Sequence, residues 1–270
     1  MSNNPIGVFD SGVGGLTVLK ELVNLLPNEN YLYFGDTARI PYGEKTQEQL
    51  FCYARGIMEW FKSRNVKAVV MACNTSSAVV YDTIKNDYNF PVFSLIEPTA
   101  EYISYVNSPK IGVLATSATV NSRAYSKAVH KINPSKEIIE VACPGLVELV
   151  ENNKTDTYEA KKLVIKYVAP LLEKRVGHII LGCTHYPYLS NIIADVTNDK
   201  EMLVNPAKFL GEKVVESLLS NDLLNAEALG SRQYFASSNT AMFVEAGKRF
   251  YPDIEQAQEL VIGEVSSIIK

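Results

Sequence analysis

The sequence lacks the features that would direct a chain to a membrane, to secretion or to nucleic acid. None of its apolar runs approaches the roughly 20 residues that a membrane-spanning helix needs. The first residues, MSNNPIGVFDSG, lack the basic and apolar segments of a signal peptide, so we expect a cytoplasmic protein without membrane partners. Lys and Arg form no long basic run and the net charge of the 270 residues is −4, so nucleic acid is not an expected partner.

Cysteine is also scarce, with four residues, and no two of them form a C-x-x-C pair. We therefore expect free thiols in a reducing compartment rather than disulfides. Cys52 lies in the helical pattern LFCYARGIMEWF, which predicts a packing role. The other three, Cys73, Cys143 and Cys183, each lie near the end of an apolar run. Because a lone cysteine often packs as a small apolar side chain, position alone does not assign them chemistry.

Short apolar runs alternate regularly with amphipathic stretches along the chain. This alternation predicts an α/β fold with mainly parallel sheets flanked by helices. The stretch at 46–64 is a predicted helix that opens on the capping-box pair Thr46 and Gln49. The predicted strands are Ile6–Asp10, Tyr31–Gly35, Lys67–Ala72, Pro91–Leu95, Lys110–Ala115, Glu137–Ala142, His178–Gly182 and Met202–Val204. Parallel sheets bind ligands beyond the carboxyl ends of their strands, so the residues after each strand are the functional candidates.

The chain also resembles itself. Three pairs of segments match in the same order and at similar offsets: IGV at 6–8 with 111–113, ACNT at 72–75 with GCTH at 182–185, and Glu97-Pro98 with Asn205-Pro206. Each match lies in a predicted strand or soon after one, which predicts two similar, pseudo-symmetric α/β units. We expect a first unit of residues 1–97 with 207–270, a second of residues 98–206, and an active site in the cleft between them.

The repeat places Cys73 and Cys183 at equivalent positions, so their strand ends face each other if the two units do. Two thiols across a ligand have a definite chemical use. One thiolate removes a proton from a carbon while the other thiol supplies a proton to the opposite face. This inverts a stereocentre, and it requires neither a cofactor nor a metal ion.

The neighbours of the two cysteines are polar. Three of them can hydrogen-bond a carboxylate or an ammonium group: Asn74, Thr75 and Thr184. Asp10 ends the first predicted strand and can orient a thiol proton or bind an ammonium group, and His185 can serve Cys183 in the same way. Zinc held by Cys73, Cys183 and His185 is an alternative, but C-x-H is an unusual ligand spacing. The loop DSGVGGLT (10–17) fits neither a P-loop nor a dinucleotide fingerprint, so we expect a tight turn there.

Five segments in order, IGVFDSGVGGLTVL, GDTARIPYG, ACNTSSA, CPGLVELVE and LGCTHYPYL, closely resemble the glutamate racemases of the cofactor-independent aspartate/glutamate racemase superfamily. The resemblance runs from about residue 6 to residue 215. It implies two pseudo-symmetric α/β domains and reversible interconversion of L- and D-glutamate, with glutamate as the small-molecule partner and peptidoglycan synthesis as the consumer of D-glutamate. It also implies a homodimer, although more weakly.

The resemblance assigns the site residue by residue. Cys73 takes the α-proton from D-glutamate and Cys183 takes it from L-glutamate, with Asp10, His185 and Glu151 as their helpers. The substrate-binding positions are Asp10, Ser11, Tyr42, Gly43, Asn74, Thr75, Thr116, Thr119, Thr184 and His185. The chain departs from the family pattern at ATSAT (115–119), where glycines are common, and at Tyr188, where the family commonly has leucine.

Two other functions share part of this pattern. An aspartate or broad-specificity amino-acid racemase would use the same two thiols, and pocket size would separate it from a glutamate enzyme. A two-lobed binding protein also closes two α/β units on a ligand. It needs no paired thiols, so the matched cysteines favour the racemase.

Overall fold

Two parallel sheets organise residues 1–226 and 229–263, the part of the chain that the computed structural model describes. The strands are β1 Ile6–Asp10, β2 Tyr31–Gly35, β3 Ala68–Met71, β4 Val92–Ser94, β5 Lys110–Ala115, β6 Glu137–Ala142, β7 His178–Gly182, β8 Leu203–Val204, β9 Arg232–Ala236 and β10 Gln258–Glu259. Every strand pair in both sheets is parallel.

Helices connect the strands and cover the sheets. They are α1 Leu16–Leu25, α2 Gln47–Ser63, α3 Asn74–Val79, α4 Tyr81–Ile84, α5 Ile96–Tyr105, α6 Ser117–Ser122, α7 Ala124–Ile132, α8 Leu146–Glu151, α9 Tyr158–Glu173, α10 Ser190–Thr197, α11 Pro206–Ser220 and α12 Thr240–Gly247. The α/β fold class is therefore confirmed. The predicted capping box is also present, because Thr46 and Gln49 each accept a hydrogen bond from the other's backbone N–H at the start of α2.

The two sheets share one strand order. The first runs β10-β9-β2-β1-β3-β4 and the second runs β6-β5-β7-β8. Since β1 to β4 correspond in chain order to β5 to β8, the order β2-β1-β3-β4 is repeated as β6-β5-β7-β8. The internal repeat in the sequence is thus a repeat in topology, and it places β3 and β7 in equivalent positions.

The predicted strands agree closely with the observed ones. Strands β1, β2, β5, β6 and β7 have the predicted bounds, and β3, β4 and β8 are shorter than predicted at one or both ends. The sequence analysis did not identify β9 and β10 as strands. They follow α11 and extend the first sheet, with β9 pairing with β2 along its whole length.

The predicted bounds of the two units stay a prediction. Residues 96–105 form α5, so the division at residue 97 falls near the start of a helix. Residues 227–228 and 264–270, which were assigned to the first unit, lie outside the described residues. The largest buried apolar cluster is continuous from Leu16 in the first unit to Leu149 and Leu171 in the second. The strand ends of the two sheets are therefore held against a common core.

Within the described part of the chain, no helix is both long enough and apolar enough to cross a membrane.

Candidate active site

Both candidate thiols line one small cavity of about 80 Å³ at the carboxyl ends of the strands of the two sheets. The sequence-predicted residues that line it are Ser11, Tyr42, Gly43, Cys73, Asn74, Thr75, Thr116, Glu151, Cys183, Thr184 and His185. The other two predicted residues, Asp10 and Thr119, are fully buried and contact the wall of the cavity from behind. Segments far apart in the sequence thus converge as strand-end positions do in parallel sheets.

Cys73 lies in the short connection between β3 and α3. Strand β3 ends at Met71 and α3 begins at Asn74, so Cys73 is the residue that precedes the first helical turn. Its side chain is buried, with 5% of the residue exposed. Burial, followed by the negative charge of Asp10, raises the pKa of the Cys73 thiol to about 12, although hydrogen bonds from Ser76 oppose the rise. At neutral pH, Cys73 in the unliganded site is therefore a protonated thiol.

Asp10 is the last residue of β1 and is fully buried beside the Cys73 strand end. Its Oδ1 accepts a hydrogen bond from the Gly12 N–H at 2.9 Å, and its Oδ2 accepts one from the Thr184 hydroxyl at 3.4 Å. Burial raises the pKa of Asp10, whereas the charge of His185 and hydrogen bonds from backbone N–H groups lower it. The carboxyl group thus links Thr184, beside the second thiol, to the neighbourhood of the first.

The glycine-rich loop after β1 packs against these site residues. A Cβ added at Gly15 would overlap the Cβ of Asp10. One added at Gly14 would lie 2.5 Å from the Thr184 hydroxyl and 2.5 Å from the His185 ring. The sequence analysis predicted only a tight turn here. The structure shows that Gly14 and Gly15 are needed because site side chains approach the backbone too closely for any Cβ.

The second thiol is the first member of a hydrogen-bonded series. The Sγ of Cys183 lies 3.7 Å from Nδ1 of His185, and Nε2 of His185 lies 2.6 Å from Oε1 of Glu151. Burial alone would lower the pKa of His185. The hydrogen bonds and negative charges of Cys183 and Glu151 outweigh it and raise that pKa well above the ordinary value. The His185 ring therefore links the Cys183 thiol to the Glu151 carboxylate.

Hydroxyl groups and a glycine join the two units across the cavity. Thr75 Oγ1 and Thr116 Oγ1 are 2.9 Å apart, and Thr116 Oγ1 and Thr119 Oγ1 are 3.0 Å apart. A Cβ added at Gly43 would lie 3.0 Å from the Cβ of Thr116, so glycine permits the close approach of these two segments. The Tyr42 hydroxyl donates to Asp36 Oδ2 at 2.6 Å, so its proton is not available to a ligand.

Sequence reasoning missed Tyr125, a fully buried residue of α7. Its hydroxyl donates a hydrogen bond to Oδ1 of Asn74 at 2.6 Å. Because this bond occupies the carbonyl oxygen of Asn74, the amide NH₂ group of Asn74 is left to serve the cavity. In the sequence Tyr125 has the pattern of an ordinary core residue of an amphipathic helix, so nothing there distinguished it.

Cys143 also lines the cavity, as its position after β6 suggested, and Cys52 does not belong to the lining set. The Sγ of Cys143 lies 3.3 Å from the carbonyl oxygen of Val141, and burial raises its pKa to about 12. The described residues include no group of three or more His, Cys, Asp or Glu side chains arranged to hold a metal ion. This geometry gives no support to the zinc alternative.

A much larger groove of about 850 Å³ lies beside α4, α5 and α7. Among the described residues that line it there is no site residue that the sequence predicted. Its walls carry Asp82 and Glu97 on one side and Lys127 and Lys131 on the other. The size of this groove does not make it the active site, because the paired thiols and their polar neighbours are elsewhere.

The comparisons with known proteins agree with the geometry. The family described as Asp/Glu/Hydantoin racemase matches residues 6–210. The chain is 40% identical to a glutamate racemase of Thermoanaerobacter pseudethanolicus, over 92% of this chain and 93% of that protein. It is 41% identical to a glutamate racemase of Geobacter metallireducens, over 91% and 92% of the two chains.

A solved structure is also similar along nearly the whole chain. The glutamate racemase of Francisella tularensis in complex with D-glutamate superimposes with a TM-score of 0.91 and is 33% identical, covering 97% of this chain and 98% of that one. Sequence and structure therefore lead to the same conclusion: the chain is an amino-acid racemase and belongs to the Asp/Glu/Hydantoin racemase family.

Proposed function

We propose that the protein interconverts L-glutamate and D-glutamate by proton transfer between two thiols, without a cofactor. One observation carries the proposal: Cys73 and Cys183, at the ends of the equivalent strands β3 and β7, line the same small cavity. The choice of glutamate is supported by the similar glutamate racemases and by the D-glutamate complex of the Francisella enzyme.

In the direction from L- to D-glutamate, Cys183 begins as a thiolate and Cys73 as a thiol. The Cys183 thiolate takes the α-proton, so a C–H bond breaks, an S–H bond forms and the electron pair remains on the α-carbon. The Cys73 thiol then donates its proton to the opposite face of that carbon. The reverse reaction begins with the opposite protonation of the two thiols. The high pKa of Cys73 favours the first of these starting states.

The carbanion must be stabilised while it exists, because an amino-acid α-proton is a very weak acid. We propose that Asn74, Thr75 and Thr184 donate hydrogen bonds to the α-carboxylate, on which the negative charge develops. The hydrogen bond from Tyr125 to Asn74 supports this role, since it directs the amide donors of Asn74 towards the cavity. The burial of the site strengthens each of these interactions by excluding water.

The substrate ammonium group has a further role in this proposal. In the free site the Asp10 carboxylate makes a thiolate on Cys73 less stable. An ammonium group bound near Asp10 would offset that negative charge and make the Cys73 thiolate easier to form. Binding would thus prepare the thiol that removes the α-proton from D-glutamate. Ser11, Tyr42, Gly43, Thr116 and Thr119 complete the proposed substrate-binding set.

We further propose that the product D-glutamate supplies peptidoglycan synthesis and that the protein works in the cytoplasm. The resemblance supports the first statement. The second is supported by the chemistry, since a mechanism that uses two reduced thiols needs a reducing compartment. A homodimer stays a prediction from the resemblance.

The test is proton NMR of L-glutamate, and separately of L-aspartate, with the purified protein in D₂O and no added cofactor. We expect the α-proton signal of glutamate to disappear as D-glutamate forms. Cys73→Ala and Cys183→Ala should each abolish racemisation, whereas Cys52→Ala, a matched control outside the cavity, should retain it. Normal racemisation by Cys73→Ala would falsify the two-thiol mechanism. If L-aspartate exchanges faster than L-glutamate, aspartate is the substrate. The two-thiol mechanism would still hold in that case.

A further inference from the structure

The hydrogen-bonded series Glu151–His185–Cys183 is supported from behind by a segment that lies beyond residues 6–210, the part matched by the family. We infer that Arg249, in this segment, is a positioning residue that holds Glu151 and His185 in place for proton transfer at Cys183. The inference rests on the proposed function, because it concerns the same site and the same reaction.

The guanidinium group of Arg249 binds the C-terminal end of α8. Its Nη2 donates to the carbonyl oxygen of Glu151 at 2.9 Å, and its Nη1 donates to that of Val150 at 3.3 Å. The last carbonyl groups of a helix lack intrahelical donors and carry partial negative charge, so a cation with several fixed N–H groups suits them. These two bonds fix the backbone from which the Glu151 side chain reaches Nε2 of His185.

The next residue contacts the other member of the series. The ring of Phe250 meets the ring of His185 edge to face, with centroids 6.0 Å apart and an interplanar angle of 78°. Tyr188 packs on Phe250 with ring centroids 4.2 Å apart, and its hydroxyl donates to the carbonyl oxygen of Arg249 at 2.9 Å. The segment Arg249–Phe250 therefore touches both Glu151 and His185, and Tyr188 holds it there.

This arrangement gives the departure at Tyr188 a physical meaning. A leucine at this position, as is common in the family, has no hydroxyl to donate to Arg249. Arg249 also bonds within its own segment, since its Nε donates to the carbonyl oxygen of Ala246 at 3.4 Å. The guanidinium is thus held at Nε and at both Nη atoms. These bonds go to backbone carbonyl groups rather than to the cavity.

A positioning role of this kind predicts an effect confined to one of the two proton transfers. Enantiomers have equal free energies, so kcat/KM must remain equal in the two directions for any variant. The two transfers are separated by the primary deuterium isotope effect on kcat/KM, measured with α-deuterated L-glutamate and with α-deuterated D-glutamate. If the transfer at Cys183 becomes slower, the isotope effect rises for L-glutamate and falls for D-glutamate.

The experiment compares Arg249→Met with Lys248→Met, which removes the same charge from the neighbouring, solvent-exposed position. We expect Arg249→Met to lower kcat/KM, by up to about 100-fold if a reacting group is displaced by about 1 Å, with the opposed change in isotope effects. Lys248→Met should behave as wild type. Arg249→Lys keeps the charge but loses the fork of donors, so it should show the same opposed change with a smaller loss.

Three results would overturn the inference. Isotope effects that change in the same direction for both enantiomers, with lower activity and a lower melting temperature, would mean that Arg249 serves only stability. Isotope effects in Arg249→Met and Arg249→Lys that equal those of the wild type would mean that Arg249 has no role in the proton transfer at Cys183. The same opposed change in Lys248→Met would assign the effect to net charge. If the wild-type protein does not racemise glutamate, the proposed function fails first, and that outcome is distinguishable from these.

Discussion

Replacing Asp10 with asparagine tests how the site controls its first thiol. The pKa of Cys73 is raised to about 12, first by burial and then by the negative charge of Asp10. At a pH of about 8, a thiol with such a pKa is ionised in roughly one molecule in 10,000, compared with roughly one in four for an ordinary thiol of pKa about 8.5. The substitution Asp10→Asn keeps the shape of the side chain and removes its charge. The pKa of Cys73 should therefore fall, yet remain above the ordinary value because the burial is unchanged.

The size of the fall can be read from reactivity. Each unit by which the pKa falls corresponds to about 1.4 kcal/mol and to tenfold more thiolate at a fixed pH in this range. We would measure the rate of alkylation of Cys73 by iodoacetamide against pH, with peptide mass spectrometry, in a Cys183→Ala background with and without Asp10→Asn. Alkylation at a given pH should be at least about tenfold faster in the Asp10→Asn protein if Asp10 contributes one unit or more.

The same protein contains an internal control. Burial raises the pKa of Cys143 to about 12 as well, but the Asp10 charge is not among the causes of that rise. Alkylation of Cys143 should therefore be the same with and without Asp10→Asn. The reasoning is refuted if Cys73 titrates as an ordinary thiol while Asp10 is present. Equal acceleration of Cys73 and Cys143 would also refute it, because the cause would then be a loosening of the fold.

Three further predictions concern pH, stability and binding. The pKa of His185 is raised on folding, so its stabilising contribution is complete below about pH 6.5 and is lost as the pH rises through the folded-state pKa; urea unfolding should show this fall for wild type and not for His185→Gln. Lys67→Met leaves Glu29, its partner at 2.5 Å, as a buried unpaired charge, so it should cost about 3–5 kcal/mol in urea unfolding; adding Glu29→Leu should recover much of that loss. Tyr125→Phe should lower kcat/KM for glutamate by a factor equivalent to roughly 1–3 kcal/mol, and have no further effect in an Asn74→Ala protein.

Much of the fold could be predicted because most of its predicted strands are buried on both faces. Strands β1 and β2 are buried along their whole length, so they appear in the sequence as continuous apolar runs. Strands β9 and β10 could not be found in this way. Strand β9 begins at the partly exposed Arg232, and both residues of β10, Gln258 and Glu259, are exposed. Their strand conformation depends on pairing with neighbours distant in sequence, which no local pattern records.

The site residues also divide into those that could be predicted from the sequence and those that could not. Cys73 and Cys183 could be predicted from the repeat, because each follows a core strand at an equivalent position. Tyr125 and Arg249 could not, since a tyrosine in an amphipathic helix and an arginine after a helix have ordinary structural explanations. Their contacts assign them a role: one hydrogen bond from Tyr125 to Asn74, and two from Arg249 to the end of α8. Such contacts are set by the packing of elements that are far apart in the chain.

The two units repeat the strand order but not the residues beside the two thiols. By the alignment of the two units, Asp10 at the end of β1 corresponds to Ala115 at the end of β5, and Thr75 corresponds to His185. The first thiol therefore has a buried carboxylate beside it and no imidazole. The second thiol has an imidazole and its glutamate partner. The sulfur atoms of Cys73 and Cys183 thus follow equivalent strands. The charged groups beside them are not equivalent.

This difference bears on the two directions of the proposed reaction. The free site favours Cys73 as a thiol, which is the starting state for L-glutamate. To begin with D-glutamate, the Cys73 proton must first leave, at a cost that the substrate ammonium near Asp10 would reduce. Because the two enantiomers have equal free energies, this cost cannot change the ratio of kcat/KM between directions. The cost instead changes kcat and KM by the same factor. Both are therefore higher, or both are lower, in one direction than in the other.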